Sequence, residues 1–155
     1  MALNYLTVQD MLFLNLQITK SVQPFDYARL EEAVFYQYAP GQSTDLVAQG
    51  ARFLVGFSKM APFSHGNHAC ALVGMIAFLE ANGKSLGLSD EEAATWVALT
   101  DRAAVAVAIG ARLRDGELPE AHGVPDYHEI CLSVIGRYPK AIAAAMALDE
   151  PQKTA

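Results

Sequence analysis

The chain has little charge, few cysteines and no clustered basic residues. Asp, Glu, Lys and Arg make up 18% of its 155 residues, below the quarter that is usual in soluble domains. Acidic residues outnumber basic ones 17 to 11, which gives a formal net charge of -6. Nucleic-acid phosphates are neutralised by clustered Lys and Arg, and here these residues are scattered. The composition therefore argues against a nucleic-acid-binding protein.

Disulfides and membrane spans are not expected either. Cys70 and Cys131 are too few and too far apart for a secreted disulfide scaffold, and their apolar neighbours predict two buried thiols. Apolar runs such as Ala103 to Ile109 are far shorter than the roughly 20 residues that a spanning helix needs. No basic region precedes the first apolar residues, so we expect no signal peptide and a cytoplasmic protein.

What the sequence does have is a high apolar content arranged at helical spacing. Hydrophobic residues make up 52% of the chain, enough for a sizeable core, and the length suits one domain. Turn signals separate the apolar-periodic segments, and no stretch shows the sustained alternation of a strand. We predict one all-α domain over residues 1–155, a compact helical bundle around a central apolar helix, with few strands.

Capping residues predict where helices begin, because Ser, Thr and Asp side chains accept hydrogen bonds from the first helical amides. At Ser89 the signal is a capping box, completed by Glu92. The helix that begins there is expected to run through Leu99, with Ile109 as its outermost limit. The predicted caps are, in chain order, Thr7, Asp26, Thr44 or Ser43, and Ser89.

The most apolar predicted helix is the fourth, from about Asn67 to Asn82. It is apolar nearly all round, so we place it at the centre of the fold. Asn82 and Gly83 form a left-handed stop. Beyond it, we predict a loop over residues 116–125, two additional helices within 110–149, near 126–135 and 139–148, and a polar tail over 150–155.

Residues 61–69, Ala-Pro-Phe-Ser-His-Gly-Asn-His-Ala, form a loop that leads into this central helix. The first amides of a helix lack internal partners and the helix dipole favours an anion there. Gly66 would let a phosphate approach the backbone, and Asn67 could cap the helix or donate to a phosphate oxygen. Simple capping explains the pattern as well as anion binding does.

This stretch resembles the core motif of the Fic/Doc family, especially its death-on-curing branch, which reads His-Pro-Phe-x-Asp-Gly-Asn-Lys-Arg. The flanking segments 5–10, 30–34 and 77–83 also resemble helices of that family, so the resemblance covers about residues 5–99. The matching motif positions are Pro62, Phe63, Gly66 and Asn67.

The resemblance implies a compact all-α domain that transfers AMP, or phosphate in the death-on-curing branch, from a nucleoside triphosphate to a protein hydroxyl. In the family a histidine opens the motif as general base, an acidic residue four positions later holds Mg²⁺, and the helix start cradles phosphates. Here Ala61 stands at the base position and His65 at the Mg²⁺ position. The implied phosphate- or nucleotide-binding residues are Phe63, Gly66, Asn67 and His68.

These departures affect the chemistry more than the fold. A methyl group cannot accept a proton, and loss of a general base costs roughly a hundred- to ten-thousand-fold in rate. Neutral imidazole is a poor ligand for Mg²⁺. The first hypothesis is therefore a catalytically inactive Fic/Doc-like protein that binds a protein or a phosphate-bearing ligand. Its expected partner is an antitoxin-like or other protein, or a second copy of the chain.

Two alternatives remain open. One is an active nucleotidyl- or phosphotransferase with an altered mechanism, in which His65 or His68 replaces the base; ATP and Mg²⁺ are cofactors only if activity or nucleotide binding is retained. The other is a transition-metal-binding domain. His65 and His68 can face one side of a helix start, with Cys70, His122 or His128 as further ligands. An equally simple interpretation is that both histidines are polar residues at a helix start and bind no ligand.

Two tyrosines just before the third predicted helix have two interpretations. Tyr36 and Tyr38 are expected to pack against that helix, and the alternative is a protein-contact surface.

Overall fold

The computed structural model describes residues 3–39, 44–116 and 126–149. The predicted tail and nearly all of the predicted loop over 116–125 lie outside these ranges. Within them the chain is mostly helical, so the all-α prediction is confirmed. The elements are α1 (Val8–Thr19), α2 (Tyr27–Phe35), α3 (Leu46–Met60), α4 (Asn67–Ala81), β1 (Lys84–Leu86), α5 (Asp90–Trp96), α6 (Arg102–Arg112), β2 (Leu113–Asp115), α7 (Tyr127–Arg137) and α8 (Pro139–Asp149).

Helix α4 is the centre of the fold, as the sequence predicts. Every residue of α4 except His68 and Glu80 is buried. Helices α1, α3, α7 and α8 all pack against it. An apolar surface that runs all round a helix is stable only when neighbours cover every side, and these four helices do so. Gly83 follows its end in the left-handed conformation, with φ 82°, which confirms the predicted stop.

Two of the predicted caps show why local signals locate helices. The Thr7 hydroxyl accepts from the Asp10 amide at 3.1 Å, and the Asp10 carboxylate accepts from the Thr7 amide at 2.8 Å. This reciprocal pair is a capping box at the start of α1. The Asp26 carboxylate caps α2 through the amide of Arg29.

The predicted cap of α3 is wrong. Asp45, one residue beyond Thr44, accepts from the amides of Val47 and Ala48 at 3.1 and 3.2 Å. A carboxylate adds a charge–dipole attraction to the cap, which explains why it prevails over the neighbouring hydroxyl. Ser43, the other predicted cap, lies outside the described residues.

The helix predicted from Ser89 is present but ends before Leu99, and its outer limit at Ile109 is wrong because a second helix occupies that part of the chain. Ser89 does cap α5, by accepting from the amide of Glu92 at 3.1 Å. Helix α5 then ends at Trp96, and α6 begins after Asp101, whose carboxylate accepts from the Ala104 amide at 3.0 Å. Asp101 therefore begins a new helix inside a segment that reads as one apolar-periodic run.

Strands are few in the described residues, as expected. β1 and β2 pair antiparallel, with Lys84 opposite Asp115 and Leu86 opposite Leu113. The two C-terminal helices are confirmed as α7 and α8, which pack against α4. None of the described helices is by itself long and apolar enough to cross a membrane; α7 and α8 pass that test only as a pair, bent by 93°.

The ring of Tyr36 lies on Gly56 of α3, which confirms packing against the third helix for this tyrosine. The ring of Tyr38 packs elsewhere: it stacks on the ring of Tyr5, with the two centroids 4.2 Å apart. A Cβ at Gly56 would lie 2.6 Å from Cγ of Tyr36, closer than any packed contact permits.

We expect Gly56→Ala to destabilise the protein by about 1 to 2 kcal/mol, because the added methyl group displaces the Tyr36 ring. Gly110→Ala is the control. Gly110 lies in the last turn of α6 with nothing within 4 Å of an added Cβ, and alanine is expected to stabilise the helix by about 0.5 kcal/mol. Urea denaturation measures both changes, and equal effects of the two substitutions would contradict the close packing at Gly56.

Candidate functional site at the start of helix α4

The motif loop is held by the segment that precedes α2. The amide of Asp26 donates to the Pro62 carbonyl at 3.0 Å, and the amide of Ser64 donates to the Pro24 carbonyl at 2.9 Å. Phe63 is buried at the centre of this short antiparallel bridge. The loop is therefore fixed at its outer side by main-chain hydrogen bonds.

Ala61 serves as the end of α3. It has a left-handed backbone with φ 46°, and its amide donates to the Phe57 carbonyl at 3.1 Å. Its side chain is exposed. At the position that carries the general base in the family motif, the chain thus has a helix C-cap with no group that can accept a proton.

Asn67 closes the loop from inside. Its side-chain carbonyl accepts from the Phe63 amide at 2.9 Å, and its side-chain amide donates to the Phe63 carbonyl at 2.7 Å. The residue is only 5% exposed. Both hydrogen bonds of the Asn67 side chain are therefore made to the loop backbone. The sequence analysis had instead suggested that this side chain caps the helix or donates to a phosphate oxygen. The cap position belongs to Gly66, which has no side chain to bond.

Gly66 lies against α1. It has φ 87°, and a Cβ there would be 2.8 Å from Cγ2 of Thr19 and 3.0 Å from the side-chain nitrogen of Asn15. A glycine is needed for both the backbone conformation and the close approach. Side chains of α1 thus fill the space beside Gly66 on the side where a Cβ would lie.

Asn15 connects α1 to the helix start, a role that the sequence analysis missed. Its buried side-chain amide donates to the His65 carbonyl at 2.9 Å and to the Cys70 sulfur at 3.4 Å. The available signal was a polar residue on the apolar face of α1, which predicts a hydrogen-bonded side chain but not the residues to which it bonds.

The anion at the start of α4 is supplied by the chain itself. One carboxylate oxygen of Asp149 accepts from the His68 amide at 2.8 Å, and the other lies 2.6 Å from Nδ1 of the His68 ring. The Asp149 side chain is 6% exposed. A helix N-terminus favours an anion through its free amides and its dipole, and the last residue of α8 meets this preference.

One weak signal in the sequence points to Asp149. It is the last residue of α8, where a carboxylate opposes that helix's own dipole. Its partner His68 is 81 positions away, so no local pattern could connect the two.

The candidate metal ligands are not brought together in the described part of the chain. No group of three His, Cys, Asp or Glu residues there is arranged to hold a metal ion. His68 is paired with Asp149, whereas His128 lies 3.4 Å from the Asp10 carboxylate and stacks on Phe13. His65 is half-buried, and His122 lies outside the described residues.

Both thiols are buried, as predicted. Burial raises the pKa of Cys70 and of Cys131 from 9.0 to about 12, although the hydrogen bond from Asn15 partly opposes this for Cys70. Since the thiolate is the nucleophile, we expect neither cysteine to react with iodoacetamide at about pH 8 in the native state. Mass spectrometry should find both alkylated only after unfolding; alkylation of the native protein would contradict their burial.

Two cavities flank the helix start. One, of about 140 Å³, lies beside His68, Ser58 and Lys59 and is below the range of about 300–1,000 Å³ typical of small-molecule sites. The other is an apolar groove of about 320 Å³ that includes Phe63. The remaining groove residues are Leu12, Phe13, Asn15, Leu16, Ser21, Val22, Gln23 and Phe25.

No protein-family model matches the chain, and no curated protein or solved structure matches it either.

Proposed function

We propose that the chain is a catalytically inactive Fic/Doc-like protein that acts by binding another protein. The relation to that family is part of the proposal and rests on the motif over residues 61–69. The observation that carries the proposal is the Asp149 carboxylate on the His68 amide. A phosphate group would have to displace this carboxylate, and Ala61 offers no base to activate a hydroxyl.

Protein binding is favoured over phosphate binding by the groove beside the motif loop. None of its lining residues is charged. Three of its apolar side chains are well exposed: Val22 by 82%, Phe25 by 42% and Leu16 by 41%. Contiguous exposed apolar side chains are typical of protein-contact surfaces. The partner class that the resemblance implies, a small antitoxin-like protein, would cover these side chains with apolar residues of its own.

The proposal is tested by incubating the purified protein with labelled ATP, Mg²⁺ or Mn²⁺, and cell lysate. We expect no labelled protein product from wild type. The control variants are His65→Ala and His68→Ala, because these are the two candidate bases. The side chain of His65 makes no hydrogen bond among the described residues, and His68 contacts Asp149 through Nδ1. A product that wild type forms and either variant does not would establish the altered-mechanism transferase instead.

The protein-binding part has a separate test. We expect a protein encoded beside this chain to bind it, and the double substitution Val22→Ser with Phe25→Ser to abolish that binding. The control is Val107→Ser, which removes an apolar side chain that is 73% exposed on α6. Equal binding by both variants would exclude the groove as the contact surface.

A further inference from the structure

A third cavity, of about 430 Å³, lies between the first turns of α3 and α6. Its volume falls within the range of small-molecule sites. Five alanines form much of its wall, and their short side chains leave the space open: Ala39, Ala48, Ala51, Ala103 and Ala106. The cavity therefore offers a mainly apolar surface to a ligand.

Two arginines lie at the rim of this cavity. The guanidinium carbons of Arg52 and Arg102 are 5.6 and 5.8 Å from the ring centroid of Tyr36. Arg52 donates one hydrogen bond to the Tyr38 carbonyl at 2.9 Å. Within the described residues, neither arginine forms an ion pair with a carboxylate. Each guanidinium has five donors, so most of their donor capacity remains for a ligand.

Two carboxylates lie near the arginines, Asp45 as a lining residue of the cavity and Asp101 just before α6, and both accept hydrogen bonds at helix starts. Asp45 accepts from the first amides of α3, and Asp101 accepts from the Ala104 amide of α6. Arg102 is the first residue of α6, where a positive charge opposes the helix dipole. Arg52 and Arg102 thus both lie beside the Tyr36 ring, near the start of α6. An anion placed between the two guanidinium groups would stabilise both charges.

We propose that this cavity binds a small apolar molecule that carries one carboxylate group. The apolar body lies against the alanines of the wall, and the carboxylate lies between Arg52 and Arg102. A planar guanidinium matches the two oxygens of a carboxylate, which makes arginine suited to this head group. The inference does not depend on the proposed function, since the cavity and the motif loop share no lining residue.

The probe is decanoate, followed through the backbone amide resonances of the labelled protein. We expect saturable shifts at the first turns of α3 and α6. Decanol has the same apolar body without the charge and should bind at least about tenfold more weakly, in line with the strength of hydrogen bonds to charged groups. Acetate has the charge without the body and should not saturate. Decanoate that does not saturate, that matches decanol in affinity or that shifts only the groove around Phe25 would overturn the proposal.

Arg102→Gln separates the arginine contact from general apolar binding. Arg102 is exposed and makes no side-chain hydrogen bond within the described ranges, so the variant should keep its fold. We expect decanoate to bind about tenfold more weakly and decanol to be unaffected. Arg114→Gln, which removes the same charge from β2, is the control and should leave decanoate binding unchanged. Equal decanoate affinity in Arg102→Gln and wild type would contradict the site.

Discussion

Asp149→Ala is expected to lower the free energy of unfolding by about 2 kcal/mol. The substitution removes a buried carboxylate that accepts from the His68 amide and pairs with its ring, and hydrogen bonds to charged groups contribute about 1.5–3 kcal/mol. It also removes a negative charge from the start of α4, where the dipole favours one. Urea denaturation measures the effect as a lower midpoint at an unchanged slope.

The control for this prediction is Glu91→Ala. The Glu91 carboxylate pairs with Lys140 at the start of the same helix, α8, but both side chains are exposed. Solvent screens exposed pairs, so little loss of stability is expected. If Asp149→Ala and Glu91→Ala had equal small effects, Asp149 could not be holding the helix start.

Gly66→Ala is expected to destabilise the protein by about 3 kcal/mol. A left-handed backbone costs a residue with a Cβ roughly 1–2 kcal/mol. The added methyl group would also lie 2.8 Å from Cγ2 of Thr19, and overpacking of this kind costs about 1–3 kcal/mol. Thermal or urea unfolding measures the loss, and Gly136→Ala in α7, with nothing within 4 Å, is the control that should not destabilise.

A double substitution separates the two causes. Thr19→Ser removes Cγ2 and keeps the hydroxyl, which donates to the Asn15 carbonyl at 2.9 Å. Gly66→Ala combined with Thr19→Ser should therefore be more stable than additivity predicts, while the backbone part of the loss remains. Strict additivity of the two changes would show that Thr19 does not fill the space above Gly66.

The positions of most helices could be predicted because their signals are local. The Thr7 cap lies three residues from its partner Asp10, and α4 is identified by its own apolar composition. The prediction failed where several residues competed for one role. Thr44 and Asp45 can both cap α3, and Asp101 begins a helix inside an apolar-periodic segment.

The candidate site was predictable only in outline. A glycine followed by an apolar helix predicts a helix start that favours an anion, and the structure has one. The identity of that anion depends on Asp149, and the filling of the space above Gly66 depends on α1. Both are contacts between residues far apart in the sequence, which only tertiary packing brings together.

The central claim is that the start of α4 is already occupied by the chain's own carboxylate. Titration of inorganic phosphate, followed through the amide resonance of His68, tests it most directly. We expect no saturable shift of this resonance in wild type and a saturable shift in Asp149→Ala, whose helix start is free to take an external anion. A saturable shift of the His68 amide in wild type, at the same phosphate concentrations as in the variant, would contradict the account.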